Sequence, residues 1–131
     1  MTKDGIIFGA RAKVYLKFND DMRSLAKRLS EDLLLPEIYF DTDQDEPHEE
    51  FGLCEALGFQ LWLLNSDLKE FSFLLMIETE HSHKEIMNDR MHDLSPWLAR
   101  FIAEICDIES YIIDPQTQET IKFIKRHPEK E

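Results

Sequence analysis

The chain carries six carboxylates within ten residues, in the stretch FDTDQDEPHEEFG that runs from Phe40 to Gly52. Its three aspartates alternate like the opening ligands of an EF-hand calcium loop. Such a loop needs glycine at position six and a bidentate glutamate at position twelve, where this chain has Glu46 and Gly52. The EF-hand interpretation therefore fails. A looser cation site, a solvated loop and a surface for a cationic partner remain open.

A second polar stretch, ETEHSHKE (78–85), is rich in acids and histidines. His81 and His83 alternate, so in an extended chain both side chains would point to one side. Together with Glu78 or His92 they could hold Zn²⁺. No HExxH pattern or cysteine partner accompanies them, and an exposed polar loop is the alternative. The sequence accordingly predicts no metal and no cofactor.

No set of residues with catalytic roles can be assembled from the sequence. The chain has neither a GxSxG elbow nor a GK[ST] phosphate loop. Its two cysteines, Cys54 and Cys106, have apolar neighbours and are expected to be small buried residues rather than ligands or nucleophiles. We therefore expect a protein that is not an enzyme. The alternative is a small enzyme or ligand-binding domain with its site near the 78–93 segment.

The balance of charge restricts the class of partner. The formal net charge of −12 opposes binding to nucleic acid and to anionic membranes, both of which require clustered Lys and Arg. The same charge steers association toward a basic protein. The chain shows no signal peptide and no apolar run of about 18 residues, so we expect a cytoplasmic location.

The hydrophobic pattern predicts the elements that would position these residues. A strand is expected near 12–18, and a helix capped by Asn19 or Asp20 ends before Pro36. A short strand follows at 37–41, and the runs 57–65 and 71–79 form an antiparallel hairpin at the centre of the sheet. Ser95 is expected to cap a second helix with Pro96 in its first turn. SYIID is a strand, and ETIKFIK is a last strand or a terminal helix.

These elements predict an α+β fold in a single acidic domain over 1–131, with 125–131 a frayed tail. Two helices would pack on one face of a mixed, mostly antiparallel sheet of about five strands, giving a two-layer sandwich. In this arrangement Trp62 could be covered by a helix, whereas Trp97 at a helix start is the aromatic residue most expected to be accessible.

In the stretch SPWLARFIAEICDIESYIIDPQTQETIKF a capped amphipathic helix leads into an apolar strand. This stretch and the overall layout of the chain resemble immunity proteins of bacterial polymorphic toxin and contact-dependent growth-inhibition systems. The resemblance implies an acidic α+β inhibitor that neutralises a cognate basic toxin, for example a nuclease, by a tight complex that occludes its active site. No family residue can be transferred position by position.

The acidic stretches and the accessible tryptophan together form the expected partner-binding set, and no catalytic or metal-binding residue is assigned. The set consists of Asp41, Asp43, Asp45, Glu46, Glu49, Glu50, Glu78, Glu80, Glu85, Asp89 and Trp97.

Overall fold

The computed structural model describes residues 10–46, 48–56, 58–79, 92–114 and 116–126. These residues form a sheet with two helices, in the chain order β1 (Ala10–Lys17), α1 (Met22–Leu33), β2 (Tyr39–Thr42), β3 (Glu50–Ala56), β4 (Phe59–Asn65), β5 (Phe73–Thr79), β6 (His92–Asp93), α2 (Ser95–Cys106), β7 (Glu109–Ile113) and β8 (Thr120–Phe123).

The strands form one sheet in the order β2-β3-β4-β5-β1-β7-β8, and every neighbouring pair along this path is antiparallel. The two-residue strand β6 lies off the path and pairs with β1 in parallel. The expected central hairpin is confirmed, because β4 and β5 pair along their length and both lie inside the sheet.

Both helices lie on the same face of the sheet, here called the front face. Alternate residues of β1, β4 and β5 meet the apolar sides of α1 and α2 in one core. Its fully buried members include Val14, Leu25, Leu63, Leu75 and Ile102. The predicted α+β two-layer arrangement is therefore confirmed.

The expectation of about five strands was too low. The main additional strand is β3, which follows the acidic stretch and pairs with both β2 and β4. Its sequence, EFGLCEA, mixes charged and small residues, so it lacks the apolar alternation that marked β4 and β5. The ETIKFIK segment, left open between strand and helix, contains strand β8.

Both expected helix caps differ from those observed. Helix α1 is capped by Asp21 rather than Asn19 or Asp20, since the Asp21 carboxylate accepts the Ser24 N–H at 2.8 Å. Ser95 is the first residue of α2 and not its N-cap, because its hydroxyl accepts the Lys13 N–H at 2.9 Å. Along this edge β1 pairs with β6 before Lys13 and with β7 after it, so the Lys13 N–H lies where the pairing changes. The Ser95 hydroxyl provides the acceptor for this N–H.

Among the described residues, no helix is both long and apolar enough to cross a membrane.

Candidate functional site

The acidic stretch forms the connection of a β-hairpin at one edge of the sheet. Strand β2 is the edge strand, and it pairs with β3 from Tyr39↔Leu53 to Thr42↔Glu50. The connection carries most of the carboxylates away from the sheet, where their side chains are exposed. We call this segment the acidic hairpin and define it by its six carboxylates, Asp41, Asp43, Asp45, Glu46, Glu49 and Glu50.

Backbone hydrogen bonds shape the acidic hairpin. The Asp43 N–H donates to the Glu49 carbonyl at 2.9 Å, and the His48 N–H donates to the Asp45 carbonyl at 2.8 Å. The Asp43 carboxylate also accepts the Asp45 N–H at 3.0 Å, and His48 adopts a positive φ of 60°. These hydrogen bonds fix the backbone that carries the carboxylates in a defined turn.

One carboxylate of the hairpin is neutralised from within the chain. Glu50 forms an ion pair with Arg23 of helix α1, and the Arg23 guanidinium lies 4.3 Å from the centre of the Phe40 ring. Glu46 lies 4.0 Å from the His48 ring, an attraction that requires a protonated histidine. No described Lys or Arg forms an ion pair with Asp41, Asp43, Asp45 or Glu49. The hairpin therefore presents four carboxylates without a described cationic partner.

Glu78 lies far from this hairpin, on β5, where it pairs across the strands with Arg11 and Gln60. It lines a cavity of about 440 Å³ together with Arg11, Lys13 and Asp93. The cavity lies where β1 changes partners between β7 and β6. Its lining mixes two cations with two carboxylates, so it is not a purely anionic surface.

Trp97 lies on helix α2 and is 57% exposed, which agrees with the expectation that it would be accessible. Its ring stacks on Phe101, with 5.3 Å between the ring centres. Beneath it is an apolar groove of about 250 Å³, which is also lined by Ala56 and Phe59. The groove therefore lies at the β3–β4 turn, on the front face of the sheet.

The predicted partner-binding set is thus divided between separate places. The acidic hairpin precedes β3, while the Trp97 groove and Glu78 lie toward the other end of β3 and β4. Strand β3 has seven residues, which corresponds to a separation of about 20 Å at a rise of about 3.3 Å per residue. Glu80, Glu85 and Asp89, as well as His81 and His83, lie outside the described residues.

A site that the sequence did not indicate lies on the back face of the sheet, opposite the helices. Tyr39, Leu53, Trp62 and Met76 face each other in register across β2, β3, β4 and β5. We call these four residues the open row. Tyr39 is 66% exposed and Leu53 36% exposed, while Trp62 and Met76 are half-buried.

Neither of the two described helices covers Trp62. Its neighbours Leu61 and Leu63 face the helices, so alternation turns Trp62 to the back face, where no described helix lies. The open row escaped the sequence analysis because β3 was not predicted. Leu53 consequently had no assigned face and no neighbours.

Both cysteines are buried free thiols, in agreement with the sequence. Burial raises the pKa of the Cys106 thiol to about 11, and burial likewise raises the pKa of Cys54. Thiols with raised pKa values are protonated at neutral pH and are weak nucleophiles. Within the described part of the chain, no three His, Cys, Asp or Glu residues are grouped so that they could hold a metal ion.

Comparison of the chain with protein-family models, with curated proteins and with solved structures found no match.

Proposed function

We propose that this protein binds and neutralises a basic protein, acting as an immunity protein toward a cognate toxin domain such as a nuclease. The observation that supports this proposal is the acidic hairpin. It projects from a sheet edge, its turn is fixed by backbone hydrogen bonds, and four of its carboxylates have no described cationic partner. Such a surface complements the Lys and Arg residues with which a nuclease holds its substrate backbone.

Neutralisation would combine attraction with occlusion. The net charge of −12 draws a cationic partner toward the protein and raises the association rate. The carboxylates of the hairpin then occupy the cationic positions that would otherwise bind phosphate. Because the two-layer fold is far larger than the hairpin, the bound domain also blocks access to the partner's active site.

Growth protection tests this proposal directly. The probe is the C-terminal domain of the protein that the adjacent upstream gene encodes, expressed in a heterologous bacterium. We expect this domain to stop growth and co-expression of the present protein to restore growth. A harmless neighbouring domain, or a toxic domain that this protein neither protects against nor binds, would overturn the proposal.

A charge-matched pair of variants locates the effect on the hairpin. Reversal of five hairpin acids to Lys changes the net charge from −12 to −2, and so does reversal of five exposed acids elsewhere. We expect the hairpin variant to associate with the toxin domain at least tenfold more slowly than the wild type, and the salt dependence of its association rate to be weaker. The control variant should show a smaller change in both quantities. The hairpin set is Asp41, Asp43, Asp45, Glu46 and Glu49, and the control set is Asp20, Glu31, Glu37, Glu70 and Glu119.

A ligand-binding domain with a site near 78–93 is the second candidate, and the mixed-charge cavity beside Glu78 and Asp93 favours it. Lys13 and Arg11 supply cations opposite these acids, which suits a small zwitterion. A thermal-shift screen with amino acids tests this candidate. A rise in melting temperature that is lost in Lys13→Gln would support it, and no rise would remove it.

A further inference from the structure

We propose that the open row (Tyr39, Leu53, Trp62 and Met76) is the apolar centre of the surface that docks the cationic partner, with nearby carboxylates as its rim. This inference rests on the proposed function and assigns the partner a specific chemistry. The partner surface would carry an aliphatic or aromatic centre that is surrounded by Lys and Arg.

The first step concerns the part of the back face that the chain already covers. The β4–β5 connection folds over the sheet, and Phe71 packs 5.2 Å from the Tyr15 ring and 4.7 Å from the Tyr111 ring. With Leu74 these residues form a buried apolar cluster. The chain thus covers the back face beside β1 and β7.

The second step concerns the part that stays open. The open row lies across β2 to β5, outside that buried cluster except for Met76, which packs at its margin. Four neighbouring strands about 4.8 Å apart make this row about 14 Å wide. A partly exposed aromatic and aliphatic row of this kind is typical of the centre of a protein interface, where Tyr, Trp and Met are enriched.

The third step identifies the occupant from charge. On one side of the row, Asp41 lies two residues after Tyr39, on the same face of β2, and is the first carboxylate of the acidic hairpin. On the other side, Glu55 lies beside Gln60 in the next cross-strand row, and the open row itself ends with Met76 beside Lys13 of β1. The rim beside β2 and β3 is therefore acidic, whereas Lys13 lies at the β5 end of the row. A cationic rim on the partner complements the carboxylates beside β2 and β3.

The same charges oppose a second copy of this chain as the occupant. A twofold contact with its axis along the row would set Asp41 of one copy near Glu55 of the other. Like charges brought together in this way are unfavourable. A basic partner with an apolar centre meets no such repulsion.

Two synthetic peptides test the inference on the intact protein. One has twelve residues of alternating Lys and Leu, and the other alternates Lys and Ser with equal length and charge. The two tryptophans give separate indole N–H signals in NMR spectra, one from the open row and one from helix α2. We expect the Lys/Leu peptide to bind roughly tenfold tighter or better, and to shift the Trp62 signal but not that of Trp97.

Matched variants then locate the contact. Leu53→Ser should reduce the affinity for the Lys/Leu peptide to that for the Lys/Ser peptide. Ile105→Ser, at an exposed apolar residue of helix α2, should leave the affinity unchanged. Circular dichroism and melting temperature show that each variant is folded.

Four outcomes would overturn the inference. Equal affinity for the two peptides, with shifts confined to the acidic hairpin, would show binding by charge alone and would leave the proposed function standing. Shifts at Trp97 would place the apolar contact on helix α2. Absence of binding by either peptide removes the docking surface, while growth protection still decides the proposed function separately. Concentration-dependent dimerisation that Leu53→Lys abolishes would make a second copy the occupant.

Discussion

At the scale of single residues, Gly52 shows how closely the hairpin packs beneath helix α1. It lies on the front face of β3, paired with Phe40 and Leu63. A Cβ atom built there would lie 2.8 Å from the Ile38 side chain and 3.3 Å from that of Phe40. Glycine therefore suits this position, because a Cβ atom there would collide with the Ile38 side chain and crowd that of Phe40.

We expect Gly52→Ala to lower the free energy of unfolding by about 1–3 kcal/mol, because the added methyl group overpacks the contact with Ile38. Urea denaturation at neutral pH measures the change. Glu55→Ala, at an exposed position of the same strand, is the control and should change stability by less than about 0.5 kcal/mol. Equal effects of the two substitutions would contradict the packing argument.

Cys106 provides a prediction about pH. Its pKa is raised by burial to about 11 from 9.0, so the unfolded chain loses the proton first as pH rises. The stability that the protonated thiol contributes is complete below pH 9 and is lost progressively as pH approaches 11. We expect the stability difference between the wild type and Cys106→Ala to narrow by about 2 kcal/mol over this interval.

Urea denaturation under reducing conditions at a series of pH values checks this expectation. The difference between the two proteins removes the contribution of Tyr15, whose pKa is raised to about 12 chiefly by burial and which titrates in both. A stability difference that stays constant from pH 8 to 11 would show that Cys106 does not titrate as described.

At the scale of elements, a hydrogen bond from a side chain of α1 to the backbone of α2 joins the two helices. The Arg28 guanidinium of α1 donates to the Cys106 carbonyl at the end of α2, where Asp107 takes the left-handed conformation that ends the helix. The last carbonyls of a helix carry partial negative charge and lack partners within the helix. Arg28 therefore satisfies the end of α2 and ties it to α1.

We expect Arg28→Ala to lower the free energy of unfolding by about 1–2 kcal/mol, because a carbonyl loses its charged donor. Arg28 also pairs with Asp32 at 3.0 Å, so Asp32→Asn serves as the control. The control removes the ion pair with Arg28 but keeps Arg28 on the Cys106 carbonyl, and it should cost less than about 0.5 kcal/mol. If both substitutions cost the same at neutral pH, the contact with Cys106 contributes nothing.

At the scale of the whole molecule, acidic charge is spread over a small domain and concentrated in the acidic hairpin. The chain has 27 acidic residues against 15 Lys and Arg, so the folded state carries a net repulsion that salt screens. The acidic hairpin contains several of these carboxylates, and few of them form an ion pair with a described Lys or Arg. Its carboxylates therefore contribute to the salt dependence of both binding and stability.

We expect the melting temperature to rise by about 2–5 °C when NaCl is raised from about 0.02 to 0.5 M, because salt reduces the repulsion between carboxylates. Replacement of Asp41, Asp43, Asp45, Glu46 and Glu49 by their amides should reduce this rise. The same replacement at Asp20, Glu31, Glu37, Glu70 and Glu119 is the control for total charge. A larger change in the control would show that repulsion is not concentrated at the hairpin.

Local patterns in the sequence were sufficient to predict much of the fold. Apolar alternation located β4 and β5, helical spacing located α1 and α2, and the short link between the two strands required an antiparallel pair. Burial of both cysteines and exposure of Trp97 also followed from neighbouring residues. These features depend on contacts within a few residues of the chain, which sequence periodicity records directly.

Only the tertiary structure decided which surfaces the candidate residues share. Strand β3 has little periodicity of its own and forms because β2 and β4 pair with it on both sides. Its presence turns the acidic stretch into a hairpin, separates that hairpin from Trp97 and Glu78, and aligns Tyr39, Leu53 and Trp62 on the back face. Cross-strand register joins residues that are distant along the chain, so no local pattern could have revealed this row.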